Sequence, residues 1–262
     1  MFDIHYHLLY GVDDGPKTLE DSLALAELSI QQGTTHIVAT PHSNNQHPFK
    51  PEVNRELIQI LNDRLGGRLT LGSGCDFHLS YENIADLRRD RTKYTINGKQ
   101  YLLVEFSDSS IPITASEIMY EIQLAGVVPI ITHPERNLIL IQHPRRLAEL
   151  IRGGCLVQVT ASSLTGRFGR RAKAMSFDMI RKNWVHFLAS DAHSVQGRPP
   201  ALGEAYRTVK DEFGQETADR LCVRNPGAAF RGDSLGAQPE PVDIDEETQH
   251  GKRGFLWGIF GR

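Results

Sequence analysis

The sequence predicts an α/β fold built round a parallel, barrel-like sheet. Three observations carry that expectation. Short apolar or β-branched runs alternate with amphipathic segments along most of the 262 residues. The links between them are short, and a repeated βαβ order with short links implies parallel strands and right-handed crossovers. Histidines and carboxylates recur just after the apolar runs, and loops at the carboxyl ends of parallel strands are where α/β barrels place their chemistry.

Taken in order, residues 2–7 read as a first strand. Thr18-Leu19-Glu20-Asp21 then has the form of a helix N-cap, and Leu19, Leu23, Ala26, Leu28 and Ile30 make an apolar stripe that stops at Gly33. Residues 36–40 form a β-branched strand broken by Pro41, 51–65 an amphipathic helix, and 69–79 a strand. Residues 94–96 and 101–106 read as two strands joined by a tight turn, because Asn97-Gly98 favours positive φ. The spacing then predicts a helix over 114–125 stopped by Gly126, a strand over 128–132, and a helix over 143–152 ended by Gly153-Gly154. A strand over 155–160, a helix over 170–182, a strand over 185–190 and a helix over 200–213 complete the pattern.

A chain of this length can bury a full core in one domain. The net charge of −3 argues against a nucleic-acid surface as the main role. Cys75, Cys155 and Cys222 are odd in number, far apart and without a CxxC pair, which disfavours a zinc finger or a disulfide framework. They are expected to be reduced, with Cys155 and Cys222 buried as small apolar residues. The sequence shows neither a signal peptide nor an apolar run near the ~20 residues of a membrane span, so a cytoplasmic location is expected. The compact domain is expected over residues 1–230. Residues 231–250 are acidic and poor in apolar side chains, as a flexible linker would be. Residues 251–262 (GKRGFLWGIFGR) are basic and aromatic, and read either as a tail docked on its own domain or a frayed end, or as a short anchor for a partner or for the inner face of a membrane.

The chemistry-bearing residues are Asp3-Ile4-His5-Tyr6-His7, Asp13-Asp14-Gly15, Pro41-His42, Cys75-Asp76, Val104-Glu105, Thr132-His133-Pro134-Glu135-Arg136 and Asp191-Ala192-His193. His5 and His7 are two apart on a strand, so both imidazoles point to one face. Asp76, Glu105 and Asp191 add anionic ligands able to bridge cations. A mixed imidazole and carboxylate set suits Mn²⁺, Fe²⁺ or Zn²⁺ better than Ca²⁺ or Mg²⁺. Any one of these motifs alone has a bland reading as a turn or a core histidine; their recurrence at successive strand ends predicts a polynuclear metal site. His36, His143, His186 and His250 are left outside it, and His47 and His78 fall on its rim.

The segments DIHYHLLYGVDDGPKTLEDSL, ATPH, VEF, ITHPERN and SDAHSVQGRPP occur in this order from Asp3 to Pro200. They resemble the PHP (polymerase and histidinol phosphatase) superfamily, and within it the bacterial protein-tyrosine phosphatases of capsular and exopolysaccharide systems. The resemblance implies a distorted (β/α)₇ TIM-like PHP barrel, a single domain with a short C-terminal tail, holding three divalent metal ions. Mn²⁺ is the first expectation, with Fe²⁺ or Zn²⁺ as alternatives. By position, His5, His7, Glu105 and Asp191 would hold one ion, Asp76, Glu105 and His133 a second, and Asp14, His42, Asp76 and His193 a third. Arg136 and Arg198 match the family's catalytic, phosphate-binding arginines. Many relatives carry Glu where this chain has Asp76, one methylene shorter, so metal spacing is expected to differ there.

The implied reaction is hydrolysis of phosphotyrosine by a metal-bound hydroxide. The implied substrate is a membrane-bound tyrosine autokinase that controls polysaccharide synthesis, and no nucleic-acid partner is expected. No cysteine nucleophile is required, and none of the three cysteines is followed six residues later by an arginine. Two rivals stand beside this reading: a small-molecule phosphatase acting on a compound such as histidinol phosphate, and a scaffold that keeps its metals for stability. The long first motif and THPERN favour the tyrosine phosphatase, and a full ligand set argues against the scaffold.

Overall fold

In the computed structural model, which describes residues 1–107 and 109–242, the apolar runs of the sequence become eight strand segments. They are β1 (Phe2–Tyr6), β2 (His36–Ala39), β3 (Thr70–Ser73), β4 (Asp76–His78), β5 (Tyr101–Glu105), β6 (Val128–Thr132), β7 (Leu156–Thr160) and β8 (Phe187–Ala189). Every pairing is parallel, in the order β1-β2-β3 and β4-β5-β6-β7-β8.

The strand expected over 69–79 is interrupted between β3 and β4. The ladder beside it nonetheless continues, because Gly74 N–H donates to Ala39 O at 2.9 Å and Asp76 N–H to Pro41 O at 3.1 Å. Parallel bridges between His42 and Asp76 and between Tyr6 and Ala192 join the two sheets on both sides. Counting β3 and β4 as one stave, the ring has seven, closed where Asp191 N–H donates to His5 O at 2.9 Å and His7 N–H to Ala192 O at 3.0 Å. This is the distorted barrel that the resemblance implied.

Alternation along the strands sorts the core into two faces. Leu102, Val104, Ile131, Val157, Val159 and Leu188 pack outward with the helices that carry Met119, Leu147 and Met179. Tyr101, Leu103, Ile130, Phe187 and Ala189 pack together inside, with Ile4 and Val38. Two residues further along the same face lie Glu105, Thr132 and Asp191, so the inner stripe turns from apolar to ligating at the carboxyl ends. The opposite end is plugged by the helix Asn225–Arg231, whose Ala229 and Phe230 meet the inner cluster, with Phe230 edge-on to His36 at 5.0 Å.

The predicted helices form, with Thr18 capping Leu19–Gln31. Its hydroxyl accepts from Asp21 N–H, and the Asp21 carboxylate accepts from Thr18 N–H, each at 3.2 Å. The tight hairpin expected at Asn97-Gly98 is not there. Asn97 and Gly98 do adopt positive φ, 51° and 67°, but inside a short 3₁₀ turn, and β5 pairs only with parallel neighbours. The Asn97 side chain wins over the hairpin ladder: its Oδ1 accepts from Ser73 N–H at 2.9 Å and its Nδ2 donates to Phe230 O at 2.8 Å. Short helices at Tyr81–Arg89, Leu138–Gln142 and Ala161–Thr165 were not anticipated.

The sequence placed the end of the compact domain near residue 230, with a flexible linker after it. Hydrogen bonds continue further, as far as Val242. Trp184 Nε1 donates to Val242 O at 2.9 Å, Tyr101 Oη to Asp233 O at 2.8 Å, and Gln238 exchanges bonds with Asn225. Hydrogen bonds, several of them to backbone carbonyls, together with Leu235 packed against the inner cluster hold this stretch to the domain. The basic-aromatic segment 251–262 lies outside the described residues.

Candidate metal centre

Nine residues singled out as ligands converge at the carboxyl end of the barrel. Four tight groups account for all of them: His7, Asp14, His42 and His193; His5, His7 and Asp76; His5, His133 and Asp191; and His42, Asp76 and Glu105. Within each group the ligand atoms lie within 4.8 Å of one another. His5 and His7 share a face of β1 as predicted, with ring centroids 5.5 Å apart. Asp191 and His133 take positive φ, 52° and 35°, turning their side chains back over the barrel mouth. Gly15 is required where the following loop crosses His7, since a Cβ there would meet His7 O at 2.7 Å.

The donor atoms face one another. His5 Nε2 lies 3.5 Å from Asp76 Oδ2 and 3.5 Å from Asp191 Oδ1. His42 Nδ1 lies 3.1 Å from Asp76 Oδ2 and 3.5 Å from Glu105 Oε2, and His193 Nε2 lies 3.3 Å from Asp14 Oδ1. Yet His5 Nε2, His7 Nε2, His42 Nδ1 and both Asp76 oxygens are buried without a hydrogen-bond partner. A buried polar atom without a partner costs about 1–3 kcal/mol. Five of them pointing at one space are explained by cations between them, and the mixed donor set fits such ions. Asp76 reaches the centre despite its shorter side chain.

Residues outside the predicted set hold the ligands in place. Asp13 Oδ2 contacts His7 Nδ1 at 2.7 Å, and its Oδ1 accepts from Gly15 N–H at 2.9 Å. Gln158 Oε1 contacts His5 Nδ1 at 2.9 Å. Each contact leaves Nε2 of the imidazole facing the centre, which is how carboxylate and amide partners orient metal-ligating histidines. Asp3 Oδ1 accepts from Ser190 N–H at 3.0 Å, anchoring the turn that carries Asp191. Glu135 Oε1 accepts from Thr160 N–H at 2.9 Å and from Ser163 Oγ at 2.7 Å, tying the His133 turn to β7. A glutamine in the otherwise apolar run Leu156–Thr160 was a legible signal for Gln158; Asp13 was masked by its neighbour Asp14.

Both arginines converge on the centre through Asp191. Arg136 Nη1 and Arg198 Nη2 donate to its Oδ2, while its Oδ1 faces His5 and His7. The Arg136 guanidinium also lies over the Phe168 ring, 4.4 Å from its centroid. A cleft of about 510 Å³ opens beside the cluster, bordered by Asp14, Lys17, His193, Val195 and Gly197. The two rim histidines stay peripheral: His78 Nδ1 is 4.0 Å from Glu105 Oε2, and the His47 ring stacks 6.0 Å from His42. Cys75, Cys155 and Cys222 are buried free thiols.

Without metal, the charges distribute unevenly. Burial opposes a proton on His5, but the Asp76 and Asp191 carboxylates outweigh it and raise the imidazole to about 9. Burial and the neighbouring His193 hold His7 down, to about 4. Burial and the Asp76 charge push Glu105 up to about 7. Burial also works against the charge of Asp191, but His5, Arg198 and Arg136 keep it well below the usual carboxylate range.

A closed parallel barrel with a histidine and carboxylate cluster, and two arginines poised over it, defines a metal-dependent phosphatase. The family model described as capsular polysaccharide synthesis, CpsB/CapC, matches residues 1–231, and the chain belongs to that family. It is 36% identical to the tyrosine-protein phosphatase YwqE of Bacillus subtilis over 265 residues, covering 99% of this chain and 100% of that one. It is 32% identical to the tyrosine-protein phosphatase CpsB of Streptococcus agalactiae, covering 86% and 96% of the two chains. A solved structure reported with YwqE and the CpsB of Streptococcus pneumoniae, as metal-dependent tyrosine phosphatases, matches with a TM-score of 0.86 at 35% identity, over 92% of this chain and 99% of that one. A β-aspartyl dipeptidase from Fervidobacterium islandicum matches in fold alone, with a TM-score of 0.57 at 14% identity and coverage of 92% and 76%.

Two outcomes are expected. Asp13→Asn, which weakens the hold on His7, should lower metal affinity roughly 10–100-fold without unfolding the protein; unchanged affinity in a metal titration would remove Asp13 from the support of the site. Second, a protonated His5 must become neutral to bind a cation. His42, which despite its burial the Asp14, Asp76 and Glu105 carboxylates keep protonated, must lose its proton too, so metal uptake slightly above neutral pH should release about two protons per chain and weaken as pH falls. Calorimetric titration in two buffers of different ionisation enthalpy measures the release, and none would contradict the high His5 value.

Proposed function

We propose that this chain hydrolyses phosphotyrosine on a protein substrate, a membrane-bound tyrosine autokinase of a capsular or exopolysaccharide system. It acts from the cytoplasmic side, where such a kinase presents its phosphorylated segment. No helix among the described residues is long and apolar enough to cross a membrane. The observation that carries the reading is Asp191. One carboxylate oxygen faces the imidazoles of the metal centre while the other gathers Arg136 and Arg198, so phosphate-binding groups and metal ligands share one edge. The names of the relatives, tyrosine-protein phosphatases, support phosphotyrosine as the group removed.

The assignment is three divalent ions, Mn²⁺ first and Fe²⁺ or Zn²⁺ as alternatives, held by His5, His7, Asp14, His42, Asp76, Glu105, His133, Asp191 and His193. When bound, such ions supply a water acidic enough to act as hydroxide near neutral pH and offset the charge of the phosphoryl group. The chain's own residues do the rest. Arg136 and Arg198 present planar guanidinium edges that suit bidentate contact with phosphoryl oxygens. Their present partner, Asp191 Oδ2, keeps them oriented before substrate arrives. Water oxygen adds to phosphorus as the bond to the phenolic oxygen breaks. The phenolate, with a parent pKa of about 10, leaves without needing a strong general acid.

The direct test is turnover of a phosphotyrosine peptide beside histidinol phosphate, using Mn²⁺-loaded protein, chelated protein and His5→Ala. Peptide hydrolysis that disappears on chelation and in the variant is expected. Preference for histidinol phosphate, or turnover retained by His5→Ala, would overturn the reading.

A further inference from the structure

The loop after β2 and the helix Pro51–Leu65 enclose space that the catalytic residues do not use. A cavity of about 440 Å³ is lined by Lys50, Asn54, Arg55, Thr92 and Lys93, with Phe49 on one wall. A smaller one of about 140 Å³ lies between it and the metal centre. It shares Phe49, Lys50 and Asn54 with the larger, and has His42 on its other side. The two make a trough leading away from a ligand of the centre.

The part next to the metal centre has no acidic residue in its lining. Asn54 is only 5% exposed, and its amide nitrogen makes no hydrogen bond. Lys50 enters no ion pair among the described residues. Two carboxylates line the larger cavity, and both are engaged locally: Asp90 accepts from Thr92 N–H at 3.0 Å and from its hydroxyl at 2.6 Å, and Glu52 accepts from Arg55 at 3.2 Å. Lys93 pairs with Asp86. The wall itself is firm, since Phe49 packs on Tyr94 with ring centroids 5.2 Å apart. What remains unmatched is one ammonium and one buried amide donor, which together suit a carboxylate.

We propose that this trough is a subsite for the substrate polypeptide, in which Lys50 and Asn54 take an acidic side chain close to the phosphorylated residue. The proposal rests on the phosphatase reading above and adds a sequence preference to it. A phosphorylated ring seated over the centre leaves its chain at the barrel rim. His42, at the head of the trough, gives that chain a path in which the first unmatched donors are Lys50 and Asn54.

The test compares three substrates on the full-length, Mn²⁺-loaded protein: p-nitrophenyl phosphate, a phosphotyrosine peptide flanked by glutamates, and the same peptide with glutamines. Wild type should prefer the acidic peptide, through KM. In Lys50→Glu and Asn54→Leu, the ratio of kcat/KM for the acidic peptide to that for p-nitrophenyl phosphate should fall about tenfold, the scale of one charge-assisted hydrogen bond. Lys50→Arg should restore most of it. Equal use of both peptides by wild type, or a ratio unmoved in both variants, would overturn the subsite. Loss of all p-nitrophenyl phosphate turnover in wild type would instead strike the phosphatase reading. Fluorescence anisotropy of the labelled acidic peptide would then decide the trough by itself, through weaker binding to Lys50→Glu or no change.

Discussion

The site depends on the two-sided carboxylate of Asp191. Its backbone sits at positive φ directly after β8, where Asp191 N–H closes the barrel on His5 O. Its side chain then serves two sets of partners at once, imidazoles through Oδ1 and guanidiniums through Oδ2. One residue therefore couples ring closure, ligand placement and arginine placement. The strain of a non-glycine residue at positive φ is tolerated because contacts on every side determine the conformation.

The rest of the barrel mouth can be understood as the cost of assembling so many like groups in a small volume. His7 stacks on His193 with centroids 3.8 Å apart, and Asp76 approaches His5 and His42 with no hydrogen bond of its own. Such a cluster is unfavourable unless charge is balanced inside it, because buried ionisable groups lose their hydration. Asp13, Gln158, Asp3 and Glu135 stabilise it from behind, each holding a ligand or a ligand-bearing turn. In front, the facing imidazole and carboxylate atoms make a donor set that bound cations would balance. The opposite end of the barrel is plugged by Ala229 and Phe230 and carries no such cluster of ligating groups among the described residues.

How much of this was legible in the sequence follows from what each feature depends on. Strands and helices with clean periodicity, such as Pro51–Leu65 and Val128–Thr132, stand where the pattern put them, because burial of one face decides both. The convergence of the candidate ligands was legible because several unrelated motifs all end apolar runs. The hairpin at Asn97-Gly98 misled, since local turn preference says nothing of a side chain that bonds Ser73 and Phe230 far along the chain. Gln158 acts through a contact across the barrel to His5, whereas Asp13 acts locally on His7 and was masked by its neighbour Asp14. The packing of residues 232–242 rests on side chains of the domain that donate to its backbone carbonyls and on the contact of Leu235 with the inner cluster, which composition does not reveal.

The central claim is that the unmatched donors at the barrel mouth are metal ligands. Anomalous scattering at the manganese edge, from crystals of the Mn²⁺-loaded protein, tests it most directly. The account predicts strong peaks among His5, His7, His42, Asp76, Glu105 and Asp191, each within bonding distance of imidazole nitrogen and carboxylate oxygen. A cluster with no anomalous peak, its imidazoles and carboxylates bridged by water alone, would contradict it.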